Sequence, residues 1–202
     1  MKIPLFPLDV VLFPGAPLPL HIFEERYKEM IAECLARNEE FGVVQAHRDG
    51  LAVVGCTASI VRVMHRYPDG RSDIFCRGER RFEIESLNEQ RAFLQAEVDW
   101  LPEGGEQSMR LDREKCAALH MEMMELSGSD LAEFPQLDLN KPVAFLLASA
   151  VPADRRFKQE MLHLNSDADR TARLIEFYNS ILPKLRRGSR IGKTAGQNGH
   201  IM

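Results

Sequence analysis

The stretch that decides the fold is residues 3–27, which reads IPLFPLDVVLFPGAPLPLHIFEERY. It is strongly apolar, with Asp9 as the only acid before its closing Glu-Glu pair, so a signal peptide or a membrane helix has to be weighed. Its five prolines argue against both, because each removes a backbone donor and costs roughly 3 kcal/mol inside a helix. Residues 3–13 therefore predict an irregular or edge strand, followed by a turn at the Pro-Gly pair.

The composition of the whole chain predicts a folded protein of the cytoplasm. Of its 202 residues 45% are hydrophobic, which is enough to bury a substantial core. The formal net charge of -4 offers no bulk attraction to nucleic acid or to an anionic membrane. The four cysteines lie far apart and include no C-x-x-C pair, a pattern that favours reduced thiols. No small-residue cleavage site follows the apolar opening, so we expect no targeting signal.

The first half of the chain has the pattern of a sheet with one early helix. Apolar residues at helical spacing, with two glutamates in the first turn, predict an amphipathic helix over residues 24–38. The Tyr67-Pro68-Asp69-Gly70 sequence predicts the turn of a hairpin. Many short antiparallel strands of this kind favour a small barrel or a curled sheet. The predicted strands cover residues 41–47, 51–67, 71–77, 81–87 and 93–101.

The second half has helical periodicity. A composition break at residues 102–106 ends the strand pattern, and the apolar stripes beyond it predict a bundle of about four helices. The clearest helix begins where Ser166 precedes Asp169 by three residues in a capping-box-like arrangement. After Leu185 the chain is polar, basic, glycine-rich and aperiodic, which predicts a flexible tail. The predicted units are a β-barrel domain (1–103), a helical bundle (104–185) and a flexible basic tail (186–202).

No complete catalytic, nucleotide-binding or metal-binding constellation is visible in the sequence. The run from Gly188 to Thr194 resembles a P-loop, but it has three residues between its glycines instead of four and follows a helix. Cys116 and His120 are spaced to face one metal ion, yet two ligands do not make a site. No G-x-S-x-G elbow occurs, and no serine or cysteine stands in a recognisable setting with a base. We therefore predict a recognition module that is not an enzyme and needs no cofactor.

Several runs of residues carry a family resemblance. They are IPLFPL (3–8), VLFPG (11–15), LPLHIFEERY (18–27), FGVV (41–44), VGCTA (54–58), DGR (69–71), RFEI (81–84) with Gly78 before it, FKQEML (157–162) and RTARL (170–174). Together they closely resemble the Lon protease amino-terminal domain family. The resemblance implies an α+β fold: a PUA-like curled β-barrel with one early helix, followed by a helical bundle.

The same resemblance implies a function. In Lon this domain captures protein substrates for an attached ATPase and a serine-lysine protease, and neither is visible in this sequence. It thus looks like a stand-alone version, a non-catalytic module that binds unfolded or partly folded protein segments, with a protease or a chaperone as partner and an adaptor role in proteolysis or quality control. The expected substrate-binding residues are Phe13, Pro14, Leu20, Phe23, Glu24, Arg26 and Tyr27.

Two other functions stay open at this stage. The first is an RNA-binding module, because PUA-like barrels are also known from RNA-binding proteins and the predicted tail is basic, although the net acidity argues against nucleic acid. The second is an unrecognised small hydrolase, because catalytic groups assemble in space and need no sequence spacing. No membrane partner is expected.

Overall fold

The computed structural model describes residues 1–102, 105–129 and 134–197, with residues 189–197 as backbone only. Within these ranges the chain has an α+β fold of seven strands and five helices. The strands are β1 (Lys2–Leu8), β2 (Pro17–Ile22), β3 (Phe41–His47), β4 (Gly50–Leu51), β5 (Val54–Arg66), β6 (Ser72–Asn88) and β7 (Gln95–Trp100). The helices are α1 (Glu25–Arg37), α2 (Arg110–Ser127), α3 (Ala144–Ala150), α4 (Arg155–His163) and α5 (Asp167–Gln197).

The strand pairings form a circuit. Strand β1 pairs with β7, and the path continues through β6, β5 and β3, which pairs back to β1. The β1–β3 pairing is parallel and runs from Leu5↔Gly42 to Leu8↔Gln45, whereas the other pairings are antiparallel. Strand β6 pairs with β2, β5 and β7, so it organises the sheet.

Several local predictions are confirmed. Helix α1 occupies the predicted segment, with Glu24 as N-cap and Asn38 in the left-handed conformation at its end. Strand β3 has the predicted limits. The hairpin between β5 and β6 closes with Gly70 at φ 84° and a hydrogen bond of 3.0 Å from its N–H to the carbonyl of Tyr67. A positive φ explains why glycine stands there.

Strand β6 is one continuous strand where the sequence predicted two. The predicted gap contains Gly78, which in a strand can mark a break or a close approach of another backbone. Here it marks a close approach: its N–H donates to the carbonyl of Ala16 (2.9 Å), and its carbonyl accepts from the N–H of Gly15 (2.8 Å). A Cβ at this position would lie 2.1 Å from the carbonyl oxygen of Phe13. The glycine therefore lets the loop that follows β1 lie against β6.

Strand β2 was not predicted, because its two prolines argue against regular structure. It pairs with β6 from Pro17↔Arg77 to Ile22↔Ser72 and has no other strand partner among the described residues. Pro17 and Pro19 alternate along it, so both missing N–H groups lie on the same edge, where no ladder bond is needed. The prolines thus specify an edge strand.

One cluster of buried side chains crosses the predicted boundary between the sheet and the bundle. It includes Phe6, Tyr27 and Ile74 from the first half and Phe157 and Tyr178 from the second. All four cysteines are buried. The division into units at residues 103 and 104 stays a prediction, and those two residues lie outside the described ranges.

A buried arginine joins β6 to the bundle. The Arg81 side chain has no exposed surface, and its guanidinium donates to the carbonyls of Leu162 (2.9 Å), Leu164 (2.8 Å) and Pro102 (2.8 Å). The first two carbonyls stand at the end of α4, where a helix presents partial negative charge and lacks internal donors. Arg81 therefore satisfies the terminus of α4 and ties it to the sheet.

Helix α5 continues through Gln197, so residues 186–197 of the predicted flexible tail have a helical backbone. The guanidinium of Arg186 binds both carboxylate oxygens of Glu122 on α2 (2.6 and 2.8 Å), so the helix stays attached beyond Leu185. The sequence after Leu185 lacks apolar residues at helical spacing, which indicates only that this segment has no side to pack against the core. Extending an existing helix adds one backbone bond per residue and avoids the cost of nucleation. Residues 198–202 lie outside the described ranges.

Replacing Arg81 with methionine should destabilise the fold strongly. The Arg81→Met variant keeps most of the side-chain volume but removes a donor from each of three backbone carbonyls, of which that of Leu162 is buried. We expect the free energy of unfolding to fall by on the order of 3 kcal/mol, measured by urea denaturation. The matched control is Arg80→Met, an exposed neighbour whose guanidinium lies 3.9 Å from the centre of the Trp100 ring and which should change stability by less than about 1 kcal/mol. Equal losses in both variants would contradict the anchoring role of Arg81.

A buried histidine in the bundle should make stability depend on pH. The His120 ring is fully buried with its Nδ1 2.8 Å from the Tyr178 hydroxyl, and burial lowers the pKa of His120 from 6.5 to about 4. Between these two pKa values the unfolded chain binds more protons than the folded chain. The contribution of neutral His120 to the free energy of unfolding is therefore complete above about pH 6.5 and is lost as the pH falls towards about 4. We expect about 3 kcal/mol less stability at the acid end from this group. Urea denaturation of His120→Gln across that range should show a correspondingly flatter pH dependence, and an unchanged slope would refute the assignment.

Candidate functional site

An apolar groove of about 300 Å³ lies between the end of β1, the end of β2 and the start of α1. We call it the amino-terminal groove. It brings together five of the seven residues expected at the substrate site, namely Leu20, Phe23, Glu24, Arg26 and Tyr27. Its opposite wall consists of Phe6, Pro7 and Leu8 from β1. These three were not among the expected residues, because their position depends on the long-range pairing of β1 with β3 and β7.

The other two expected residues lie elsewhere. Phe13 is fully buried, and its ring lies 5.8 Å from the ring of Phe145 in the core. Its side chain has no exposed surface and does not line the groove. The reason is the turn at Gly15, which has φ 78° and a hydrogen bond from Ala16 N–H to the Phe13 carbonyl (3.0 Å), and which directs Phe13 inward. Pro14, in the same turn, is half-buried and does not line the groove.

Stacked rings form the floor of the groove. The rings of Tyr27 and Phe6 lie 4.0 Å apart at 26°, and both side chains are buried at 7% exposure. The guanidinium carbon of Arg26 lies 4.6 Å from the centre of the Tyr27 ring on the outer side. Burial raises the pKa of the Tyr27 hydroxyl, which keeps it neutral. The floor is consequently uncharged and apolar.

The rim combines an exposed aromatic ring with charges that neutralise one another. Phe23 is 59% exposed, because Ile22 before it is buried and the next side chain along an extended segment points the other way. Glu24 Oε2 accepts from Arg26 Nε (2.9 Å) and from its Nη2 (2.7 Å). The arrangement leaves Phe23 as the exposed apolar group above a ring-lined floor.

A polar pair on β2 and β6 borders Phe23. The rings of Phe23 and His21 lie 6.0 Å apart, and His21 Nδ1 lies 2.6 Å from Asp73 Oδ1. The Tyr67 hydroxyl donates to the other carboxylate oxygen (2.8 Å). Hydrogen bonds from His21 and then Tyr67 lower the pKa of Asp73. These contacts fix the register of β2 on β6 and hold the outer wall of the groove in place.

The structure also bears on the metal-binding, nucleotide-binding and membrane-spanning segments that the sequence raised. No three His, Cys, Asp or Glu side chains in the described part of the chain come together to hold a metal ion. His120, which is spaced to share a metal ion with Cys116, forms a hydrogen bond with Tyr178. The P-loop-like run that begins at Gly188 has a helical backbone within α5. Among the described helices, none has the length and apolar character needed to cross a membrane.

The fold is that of Lon amino-terminal domains. The crystal structure of a Lon N-terminal domain protein from Xanthomonas campestris superposes with a TM-score of 0.71 at 23% identity, covering 87% of this chain and 98% of that one. The N-terminal domain of Mycobacterium avium complex Lon protease has a TM-score of 0.65 at 20% identity, covering 89% and 98%.

The sequence places the chain in the corresponding family. It belongs to the family described as the ATP-dependent protease La (LON) substrate-binding domain, whose model matches residues 2–180. The Lon protease of Parabacteroides distasonis is 29% identical over 197 residues, covering 88% of this chain and 24% of the relative. That of Cytophaga hutchinsonii is 24% identical over 203 residues, covering 91% and 24%. The chain spans about a quarter of the length of these relatives, and the resemblance noted in the sequence is confirmed.

The structure divides the groove into a structural floor and an exposed rim, and paired substitutions test the division. Tyr27→Ala should lower the free energy of unfolding by about 3 kcal/mol, because it removes a buried ring from the stack with Phe6. Phe23→Ala should change it by less than about 0.5 kcal/mol, because that ring is mostly in solvent. Thermal or urea denaturation of the two variants beside the parent chain measures both values. A large loss for Phe23→Ala would show that this ring serves the fold.

Proposed function

We propose that the chain captures unfolded or partly folded protein segments in the amino-terminal groove and contributes no chemistry of its own. The observation that carries the proposal is the exposed Phe23 ring beside an apolar floor. Exposed apolar surface with a polar rim marks interaction sites in soluble proteins. The volume of about 300 Å³ lies at the small end of ligand pockets and suits a few side chains of an extended segment.

The rigidity of the groove supports the same proposal. Strand β2 carries two prolines, and its backbone is held on β6 over six paired positions. A wall that is already ordered loses little conformational entropy when a client binds, so more of the contact energy appears as affinity. Aromatic side chains such as Phe23 supply a large contact area with few torsions to immobilise.

The charges around the groove favour a neutral, apolar client contact. Glu24 and Arg26 bind each other, so the charges of these two rim residues compensate one another. Contacts of this kind depend weakly on salt, whereas binding to a phosphate backbone depends on it steeply. The groove therefore supports protein clients over nucleic acid.

The family suggests how such capture is used. The relatives are named as Lon proteases, and the matched family is named for substrate binding. We extend this to an adaptor role in proteolysis or quality control, with a protease or chaperone receiving the client. We also propose that the strand circuit is the PUA-like curled barrel, and that the protein works in the cytoplasm, where its buried thiols stay reduced.

Binding of a permanently unfolded protein tests the function. Reduced, carboxymethylated α-lactalbumin, labelled for fluorescence anisotropy, should bind with a dissociation constant on the order of micromolar, because ordering the client offsets part of the contact energy. Phe23→Ser should weaken binding about fivefold or more, as expected for an aromatic contact worth about 1 kcal/mol. The matched control is Leu111→Ser on α2, which removes a side chain that is 74% exposed outside the groove and should leave affinity unchanged.

Salt dependence and folding controls complete the test. Affinity should change little between about 50 and 200 mM salt, whereas phosphate contacts would lower it by roughly 10³ or more. Circular dichroism of each variant confirms that the fold is intact. Tight, salt-sensitive binding of a single-stranded RNA, together with no binding of the unfolded protein, would reject the proposed function.

A further inference from the structure

A second recess, which we call the polar cleft, lies between the end of β3 and helix α4. It has a volume of about 510 Å³, and each residue that lines it has a polar or charged side chain, although the carbon atoms of those side chains supply most of the lining surface. Strand β3 contributes Gln45 and His47, and α4 contributes Arg156, Gln159 and His163. The sequence patterns did not point to this recess, because its two walls are more than a hundred residues apart along the chain.

Two amide oxygens of the cleft are buried without a hydrogen-bond donor among the described residues. Gln45 is 4% exposed, and its Oε1 has no such partner. Gln159 donates from Nε2 to the carbonyl of Val54 (2.8 Å), which fixes its amide, yet its Oε1 is buried without a donor. Buried acceptors left unsatisfied in this way destabilise a fold and call for an explanation. The Gln159 amide is fixed, so a ligand with an N–H group would satisfy the Gln45 oxygen, after rotation of that amide.

The cleft also has one guanidinium and two imidazoles that no carboxylate of the described residues pairs with. Arg155 is bound to Asp9, and Glu160 is bound by Arg173 at 2.6 and 3.2 Å, so these charges are compensated within the chain. In contrast, Arg156, His47 and His163 are exposed and have no carboxylate within ion-pair distance in the described part of the chain. The free groups can therefore receive an anion beside the amide oxygens.

The polar cleft adjoins the amino-terminal groove. Leu8 lines the groove, and it is the parallel pairing partner of Gln45 in the cleft. Paired strands lie about 4.8 Å apart, and partners in register point to the same side of the sheet. An extended chain that leaves the groove across the end of β1 therefore reaches the cleft within about two residues.

We propose that the polar cleft binds the free carboxyl terminus of a client whose apolar side chains lie in the amino-terminal groove. The Gln45 amide rotates towards the cleft and accepts a terminal backbone N–H group, and Arg156 with an imidazole binds the carboxylate. The proposal rests on the proposed function, because it assumes a client in the groove.

The test compares two forms of one peptide. A labelled peptide of about ten residues, long enough to span both recesses, is made with leucine and phenylalanine near its end, as the free acid and as the carboxamide. We expect the free acid to bind about tenfold more tightly in fluorescence anisotropy, because charge-assisted hydrogen bonds are lost in the amide. Arg156→Gln should remove this difference. The matched control Arg66→Gln, an exposed arginine of the β5–β6 hairpin, should preserve it.

A second variant separates binding from folding. Gln45→Met keeps the volume of the side chain and removes the unsatisfied oxygen, so its melting temperature should equal or exceed that of the parent chain while the preference for the free acid disappears. A lower melting temperature with the preference retained would show that Gln45 serves the fold, and it would overturn the proposal.

The outcomes distinguish this proposal from the proposed function. Equal binding of both peptides, abolished by Phe23→Ser, would overturn the carboxylate site and leave the groove assignment standing. Absence of binding by either peptide and by the unfolded protein would overturn both. A free-acid preference lost in Arg156→Gln and Gln45→Met, with residual binding at the level of the amide, would support the site.

Discussion

The interaction on which the rest of the structure depends is the insertion of Arg81 into the end of helix α4. A buried cation is unfavourable unless every donor finds an acceptor. Here three backbone carbonyls, which also need donors, surround the guanidinium. The arginine and the helix end thus satisfy each other, and this fixes β6 relative to the bundle.

Because β6 is fixed, the groove is fixed too. Strand β2 pairs only with β6 among the described strands, and it leads directly into Phe23 and helix α1. Gly78 of β6 lets the loop after β1 approach closely, which sets the position of Phe13 in the core. The position of the exposed Phe23 ring therefore depends on β2, on the pairing of β2 with β6, and on the buried Arg81 that fixes β6. The proposed recognition surface thus depends on the same contacts as the fold.

Much of the fold follows from local sequence patterns, and what does not is set by long-range contacts. Helix α1 and strand β3 follow from periodicity, and the hairpin from its turn residues. Strand β2 was missed because prolines argue against strands unless the strand lies at an edge, which only the pairing with β6 reveals. Phe13 was expected on the surface because the local sequence around an apolar residue beside prolines looks the same whether that residue is exposed or buried. The helix beyond Leu185 was missed because its propagation leaves no apolar stripe.

The candidate site could be predicted only where its residues are close together in the sequence. Leu20, Phe23, Glu24, Arg26 and Tyr27 are close in sequence, so the groove wall they form could be anticipated. The β1 wall and the polar cleft need the β1–β3 pairing, which no local pattern encodes.

The most direct test of the central claim is an NMR titration of the isotope-labelled chain with an unfolded client protein, mapped residue by residue. The account predicts that the largest shift changes occur at Leu8, Leu20 and Phe23, on both walls of the amino-terminal groove. Changes confined to the β5–β6 hairpin tip or to helix α5, with the groove unaffected, would contradict it.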